Sequence, residues 1–256
     1  MKHTLSPVTA EDESLAAMTL VEHLFPPQVR RLPGLEIALA YRQAGNREHV
    51  GGDIIDVYRL LNKNTVLSIA DISGKGVKAA VDAALIKYSM RAYASEGFPP
   101  EHILRSLNRL YNEKNLNDGE ESFVTAFVAS FEPGSGTLRY ASAGHEPVAV
   151  CKPGKAAYSL DMTAPMLAVF DDPANLFRAS SIEVTSRTLL VAATDGLIEC
   201  RAPNGEFFGM QRFLRLIEEY RERDVQELLA ALLGAAESFA RADYEDDTAI
   251  MVARFL

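Results

Sequence analysis

The stretch IIDVYRLLNKNTVLSIAD, residues 54–71, decides the fold class of this 256-residue chain. It contains two runs rich in apolar and β-branched residues, separated by the polar segment NKN at residues 62–64. That pattern predicts a β-hairpin that turns at NKN. Further strand-like runs are clustered along the chain instead of alternating with helices. The clustering favours an antiparallel α+β fold over a doubly wound parallel sheet.

The remaining elements follow from periodicity and from turn residues. Strands are predicted over residues 35–41, 123–132, 137–144, 147–160 and 248–256, and two more within residues 180–196, with PGSG at residues 133–136 as a second hairpin turn. Helices are predicted over residues 10–25, 77–96, 100–114, 209–221 and 225–242. The segment RRLPG, residues 30–34, is interpreted as a linker. Two face-to-face sheets with helices outside them would bury such strands.

The length suits one large domain with a short extension, so we expect a helical extension over residues 1–27 and one domain over residues 28–256. The predicted helix at residues 10–25 carries a loose apolar stripe. Two interpretations of that stripe remain open: it contacts a regulator or a second copy of the chain, or it packs on its own domain.

The bulk composition points to a globular protein that does not bind nucleic acid. The chain is 48% hydrophobic and 24% charged, and its formal net charge is −9. An acidic surface argues against nucleic acid and anionic membranes as partners. No apolar run approaches the roughly 18 residues that a membrane span requires. Cys151 and Cys200 lack metal-type spacing, which indicates free thiols and a cytoplasmic location.

Aspartates border four of the strand-like runs. Asp53 and Asp71 flank the hairpin, Asp195 follows residues 187–194, and the pair Asp246-Asp247 precedes the final strand. Each one alone is a common turn residue. If the strands enter one core, these carboxylates meet at one edge, where they would repel one another in the absence of cations. Oxygen ligands without histidine or cysteine suit Mg²⁺ or Mn²⁺.

Two glycine motifs resemble known signatures that the chain does not complete. In SGKG, residues 73–76, Lys75 is followed by Gly76 instead of serine or threonine, which excludes a P-loop. In GGD, residues 51–53, two isoleucines follow where diguanylate cyclases have an acidic residue and an aromatic one. Lys75 has two equally weighted interpretations, a contact to a phosphate or a solvated lysine in a tight strand-to-helix turn.

Six segments in order carry a resemblance to a known family. They are LFPPQVRRLPGLEIALAYRQA (24–44), VGGDIIDVY (50–58), LSIADISGKGVKAA (67–80), YASAGHEPVAV (140–150), LLVAATDGLIECRAPNGEFFG (189–209) and DDTAIMVARF (246–255). Together they resemble the bacterial PPM-type serine phosphatases of the SpoIIE/RsbU branch. Each segment is weak alone, but six in family order are highly specific.

The resemblance implies a four-layer α-β-β-α sandwich with two divalent cations, Mn²⁺ or Mg²⁺, at one edge. It makes Asp71 the carboxylate that bridges both ions. The backbone carbonyl of Ile72 and the Asp53 side chain would serve the first ion, and Asp195 and Asp246 the second. Further residues are candidates for phosphate contacts or for support of the ligands: Gly52, Lys75, Gly76, Gly196, His145 and Asp247.

The resemblance also implies a substrate class. Family members remove phosphate from serine or threonine of small regulatory proteins, so we expect a phosphorylated, STAS-like anti-sigma factor antagonist as the substrate. An activator protein or a second copy would bind through the N-terminal helix. Departures from the family pattern, such as Ile54 and Ile55 in place of an aromatic pair and Lys78 in place of a proline, remove no carboxylate.

Three more questions stay open at the level of sequence. A catalytically inactive module that binds a phosphoprotein is the main alternative, and a metal-dependent phosphodiesterase or nuclease is a weaker one, disfavoured by the acidic surface. Side chains alternate along a strand, so Asp246 is expected to be the ligand and Asp247 to face away. A structural hydrogen bond is favoured over a catalytic role for His145.

Overall fold

The computed structural model describes residues 29–43, 51–170, 176–240 and 246–256. The helix predicted over residues 10–25 and the whole extension predicted over residues 1–27 lie outside the described residues. Within the described residues, no helix is long and apolar enough to span a membrane.

The strands form two antiparallel sheets, as the clustered pattern predicts. Within the described residues, the first sheet has the order β1-β2-β11-β10-β7-β8 and the second has the order β3-β4-β5-β6-β9. The first sheet comprises β1 (Val29–Leu32), β2 (Leu35–Arg42), β7 (Ala149–Cys151), β8 (Tyr158–Ser159), β10 (Leu189–Ala193) and β11 (Thr248–Phe255). The second comprises β3 (Ile54–Arg59), β4 (Thr65–Ile72), β5 (Val124–Phe131), β6 (Thr137–Ala143) and β9 (Ser180–Glu183).

Helices cover the outer face of each sheet. Helices α1 (Val77–Ser95) and α2 (Pro100–Asp118) pack on the second sheet. Helices α3 (Asp195–Ile198), α4 (Gly209–Tyr220) and α5 (Val225–Ala240) pack on the first sheet. The predicted helices within the described residues are therefore present, whereas α3 is a short helix that the sequence pattern did not reveal.

Three apolar layers hold these elements together. The central layer lies between the sheets and includes Ile37 and Met251 from one sheet and Ile69 and Phe127 from the other, all at most 2% exposed. The two outer layers pack each sheet against its helices. Burial of apolar surface on both faces of both sheets is what stabilises this arrangement. The four-layer α-β-β-α sandwich predicted from the sequence is confirmed.

The strand register brings four strand ends to one edge of the sandwich. In the second sheet, Ile54 at the start of β3 pairs with Ala70 near the end of β4. In the first sheet, Ala193 at the end of β10 pairs with Ile250 near the start of β11. Asp53 directly precedes β3 and Asp71 is the penultimate residue of β4, while Asp195 lies two residues after the end of β10 and the 246–247 pair directly precedes β11.

The interpretation of residues 30–34 as a linker is wrong. Residues up to Leu32 belong to strand β1, which pairs with β2 in register Val29↔Ala38 to Leu32↔Leu35. The chain reverses at Gly34, whose φ of +76° glycine adopts without strain. β1 is an edge strand, and charged residues are a common feature of edge strands because they block pairing with other chains. Because β1 contains two arginines, its sequence lacks the alternation of apolar and polar residues by which the other strands were predicted.

A buried ion pair fastens α1 to β3. Asp56 is 1% exposed and accepts two hydrogen bonds from the Arg91 guanidinium, at 2.6 Å and 2.7 Å. The Lys87 ammonium lies 3.9 Å from the same carboxylate. Charge-assisted bidentate pairs of this kind impose a defined geometry. The helix that follows the Lys75 loop is thus held in one position relative to the strand that follows Asp53.

Candidate active site

The candidate site lies at the edge where the four strand ends meet. Asp53 precedes β3 and Asp71 lies near the end of β4, while Asp195 begins α3 directly after β10. Burial, and after it the negative charges of Asp71, Asp247 and Asp195, raise the pKa of Asp53. The structure therefore brings together the carboxylates that the sequence placed at separate strand ends.

A buried threonine joins the two sheets at this edge. Thr194 donates a hydrogen bond from Oγ1 to Asp53 Oδ2 at 2.7 Å, and the same oxygen accepts the Ala249 N–H at 2.9 Å. Thr194 and Asp53 are 0% and 3% exposed. The bond fixes the orientation of the Asp53 carboxylate. Sequence reasoning did not identify Thr194; its position directly before Asp195 in TDG was the available signal.

The glycines of the motifs lie where no side chain fits. A Cβ on Gly51 would lie 1.7 Å from Asp247 Oδ2, and a Cβ on Gly52 would lie 2.4 Å from the carbonyl oxygen of Ile72. A Cβ on Gly196 would lie 1.8 Å from the carbonyl oxygen of Asp247. Glycine is needed here because the backbone and a carboxylate approach one another too closely for any other residue. Close packing at this edge of the sandwich therefore requires the glycines of the GGD and TDG motifs.

Asp246 and Asp247 occupy different surroundings. The Asp246 side chain is 49% exposed, and its Oδ1 lies 2.9 Å from the Lys75 ammonium and accepts the Asp247 N–H at 3.0 Å. Asp247 is 8% exposed, and its carboxylate lies against Gly51. The Tyr41 hydroxyl reaches the same position from β2. The sequence-based assignment of Asp246 as the ligand stays a prediction, and these surroundings favour it, because the Asp246 carboxylate is the more accessible of the two.

The pKa values record the mutual repulsion of these groups. Burial, followed by the charge of Asp71, raises the pKa of Asp53 well above its usual range. Burial, then the charges of Asp195 and Asp246, raises the pKa of Asp71 to about 7. Burial and the charges of Asp246 and Glu199 also raise the pKa of Asp195. Carboxylates whose pKa values are raised by their mutual repulsion are suited to bind cations, because bound cations remove that repulsion.

The donors fit hard divalent cations that keep part of their water shell. Among the described residues, no three acidic, histidine or cysteine side chains form a preformed metal cage. Mg²⁺ is commonly held by only one or two carboxylates, with water completing its shell. The Ile72 carbonyl lies against Gly52, one residue before Asp53. An oxygen-only set of dispersed carboxylates and a backbone carbonyl therefore matches Mg²⁺ or Mn²⁺ better than a softer metal.

Lys75 and Gly76 lie in the loop between β4 and α1. Gly76 is the residue before α1, with φ of +87°, and its backbone oxygen accepts the Ala80 N–H. Lys75 is ion-paired with Asp246 across the mouth of the site. Gly76 thus has a structural role at the helix start, whereas the Lys75 ammonium belongs to the acidic cluster.

His145 lies behind the cluster. It is 2% exposed, and its Nδ1 lies 3.1 Å from the Thr125 hydroxyl, on a residue that pairs with Asp71 across the β4–β5 ladder. Burial lowers the pKa of His145 to about 3, so the imidazole is neutral. The favoured interpretation, a structural hydrogen bond, agrees with this geometry.

Arg42, which lies upstream of Asp53 in the sequence, pairs with Glu237 of α5.

Comparison with known proteins identifies the family to which the chain belongs. The sequence model of the family described as Stage II sporulation protein E (SpoIIE) matches residues 62–256. The chain is 29% identical over 189 residues to the protein named Phosphoserine phosphatase RsbU of Bacillus subtilis (strain 168). That match covers 73% of this chain and 55% of the relative, so the chain spans about half the length of that protein.

Solved structures share the fold. The SiaA-PP2C domain of Pseudomonas aeruginosa has a TM-score of 0.77 at 16% identity, over 96% of both chains. The structure of RsbX in complex with magnesium has a TM-score of 0.66 at 16% identity, over 90% of this chain and 99% of that one. At these identities the likeness concerns the fold alone.

Substitution of Gly196 by alanine tests the close packing of the site. In Gly196→Ala the new methyl group would collide with the Asp247 carbonyl, which is backbone and cannot swing away. We expect the free energy of unfolding to fall by about 1–3 kcal/mol, the usual cost of overpacking. Urea unfolding of the metal-free protein measures the change.

Gly234→Ala is the matched control. Gly234 lies in α5 with nothing within 4 Å of its Cβ position, so the substitution should stabilise the helix by about 0.5–1 kcal/mol. Equal effects of the two substitutions would contradict the packing argument.

The raised pKa values predict that the metal-free protein loses stability as the pH rises. The folded state retains a proton on Asp71 up to its pKa of about 7, whereas the unfolded chain releases that proton near the ordinary aspartate pKa of 3.8. The protonated carboxyl thus favours folding at low pH, and this contribution is lost as pH rises through the window between the two values. From about pH 5.5 to about pH 8 the loss should be about 1–2 kcal/mol.

Urea unfolding in the presence of chelator, at both pH values, measures this loss. The Asp71→Asn variant should show a smaller loss, because its side chain does not titrate. Added Mn²⁺ should stabilise the wild-type protein most at the higher pH. A metal-free wild-type protein that becomes more stable over this interval would show that the carboxylates do not repel one another as the structure implies.

Proposed function

Because this chain belongs to the Stage II sporulation protein E (SpoIIE) family, we propose that it is a metal-dependent protein serine/threonine phosphatase. The observation that carries the proposal is the convergence of Asp53 and Asp71 from one sheet with Asp195 and Asp246 from the other. Carboxylates that raise one another's pKa at an open edge of a sandwich require cations to become fully ionised together. The name of the Bacillus subtilis relative, Phosphoserine phosphatase RsbU, supports the same reaction.

The donors divide between two ion positions in this proposal. Asp71 would serve both positions, the Ile72 carbonyl and Asp53 would serve the first, and Asp195 and Asp246 would serve the second. When bound, two divalent cations supply a water of lowered pKa for attack on phosphorus and offset the charge of the phosphoryl oxygens. No protein nucleophile is required. The neutral, buried His145 takes no part in proton transfer in this scheme.

Residues around the site hold the proposed ligand carboxylates in position. Thr194 holds one oxygen of Asp53 and takes its own hydrogen bond from the backbone of β11, so the carboxylate cannot rotate independently of the first sheet. Gly196 lets α3 begin against the backbone of Asp247, which sets where Asp195 stands. Such supporting contacts commonly determine the affinity of metal sites.

The proposed substrate is a phosphorylated anti-sigma factor antagonist of the STAS-like type. The resemblance to the SpoIIE/RsbU branch supports this choice, and the acidic surface disfavours nucleotides and nucleic acids as substrates. Residues 28–256 would form the phosphatase domain. Residues 1–27 would form an extension that receives an activator or a second copy of the chain.

Dephosphorylation of a phosphoserine peptide and of a phosphorylated antagonist protein tests the activity. Turnover should require Mn²⁺ or Mg²⁺ and stop with excess EDTA, because the donors are all oxygen atoms. Asp71→Asn should lower kcat by orders of magnitude, more than any other single carboxylate change, since an amide cannot neutralise two cations.

Glu36→Gln is a suitable control for this experiment, because Glu36 lies at the opposite end of β2 and pairs with Arg31 on the surface. It should retain wild-type turnover. Turnover that persists in EDTA with verified absence of metal would refute the proposal. Binding of the phosphorylated protein without turnover in any divalent cation would instead identify an inactive phosphoprotein-binding module.

The pair Asp246 and Asp247 provides a second test within the site. Asp246→Ala should weaken the second ion and reduce kcat by orders of magnitude, because this carboxylate is open to solvent and adjacent to Asp195. Asp247→Ala should mainly lower stability, since the residue is buried against Gly51. Metal titration, kinetics and urea unfolding of both variants distinguish the two roles. The reverse pattern would place the ligand one residue later in the chain.

A further inference from the structure

The Lys75 ammonium bridges the two halves of the acidic site. Lys75 belongs to the loop between β4 and α1, on the side of the second sheet, and Asp246 precedes β11 of the first sheet. The Nζ atom lies 2.9 Å from Asp246 Oδ1. The Asp246 carboxylate is a proposed ligand of the second ion.

The ammonium also acts on the neighbouring carboxylates. Its hydrogen bond to Asp246, with the negative charges of Asp247 and Asp195, raises the pKa of Lys75, so the side chain is positively charged. In return, the Lys75 charge opposes the rise in the pKa of Asp195. One positive charge thus lies among the carboxylates on the second ion's side of the site. A positively charged side chain in this position reduces the repulsion that a metal ion would otherwise remove.

The loop lets this lysine move without disturbing the core. Gly74 and Gly76 flank it with φ values of +114° and +87°, and nothing lies within 4 Å of either Cβ position. The Lys75 side chain is 57% exposed. Glycines on both sides give the backbone freedom that other residues lack. The ammonium is therefore free to leave Asp246 for solvent when a stronger cation arrives.

A nearby lysine shows that this position is specific. Lys78 lies three residues further along, at the start of α1, and its ammonium pairs with Glu120, two residues after the end of α2. The two lysines have similar exposure, 57% and 65%, but only Lys75 is paired with a carboxylate of the site. A general attraction of lysines to an acidic protein does not explain this difference.

We propose that Lys75 is a built-in counterion for the second metal position, where its ammonium holds Asp246 when no ion is bound and is displaced when a divalent cation binds. This inference rests on the proposed function. The two ions then bind with unequal affinity, because only the second must break an ion pair. Lys75 thereby sets the cation concentration at which the site becomes complete.

Titration of Mn²⁺ alone into the metal-free full chain tests the inference without any turnover measurement. Isothermal calorimetry and the Mn²⁺ electron paramagnetic resonance signal report both binding steps. In Lys75→Gln the weaker site should bind Mn²⁺ about two- to five-fold more tightly, the effect expected for loss of one exposed ion pair. The tighter site should change less. Lys75→Arg keeps the charge and should stay close to the wild type.

Lys78→Gln is the matched control, since it removes the same charge from the same region but leaves the Asp246 pair intact. Its Mn²⁺ affinities should equal those of the wild type. Unchanged affinity in Lys75→Gln, or an equal gain in both glutamine variants, would overturn the inference. If the wild-type chain binds no Mn²⁺ at all, the proposed function fails and the counterion role fails with it, whereas normal Mn²⁺ binding with no effect of Lys75→Gln overturns the counterion role alone.

Discussion

Face-to-face packing of the two sheets through one apolar layer is the constraint on which the rest of the molecule depends. Ile37 and Met251 of one sheet and Ile69 and Phe127 of the other bury their side chains in this layer. Because packed interiors resist small displacements, the layer sets the distance and angle between the sheets. The strand ends are then carried to a common edge with little freedom left to separate. The carboxylates of the acidic site are thus brought together by the packing of the core more than by the conformation of the loops.

That arrangement places an electrostatic cost where function is proposed. Five aspartates crowd one edge, and burial with mutual repulsion raises the pKa of Asp53, Asp71 and Asp195. Three apolar layers elsewhere stabilise the chain against this cost. The structure contains partial compensation at the site itself, in the Thr194 hydrogen bond and the Lys75 ammonium. Local instability of this kind is typical of sites that become stable when a ligand binds.

A few contacts, made at two glycines and in one ion pair, determine the geometry of the acidic site. Gly51 and Gly196 allow the segment around Asp247 to lie against both the GGD and the TDG turns, which no side chain would permit. On the outer side, the pair between Asp56 and Arg91 fastens α1 to β3. The arginine of this pair lies in the second half of α1 and holds the helix that follows the Lys75 loop. Rigid surroundings with one adaptable segment suit a site that exchanges a lysine for a metal ion.

Much of this protein was determined by its sequence alone, because local patterns encode local structure. The hairpin turns, the clustered strands and the position of Asp71 at a strand end were all predicted correctly. The edge strand β1 was not, since its charged residues lack alternation and only pairing with β2 defines it. The partners of Thr194 and Lys75, and the burial that separates Asp247 from Asp246, were decided by the tertiary structure. These contacts join residues from different sheets, and only the packing of the sheets and the register of their strands bring such residues together.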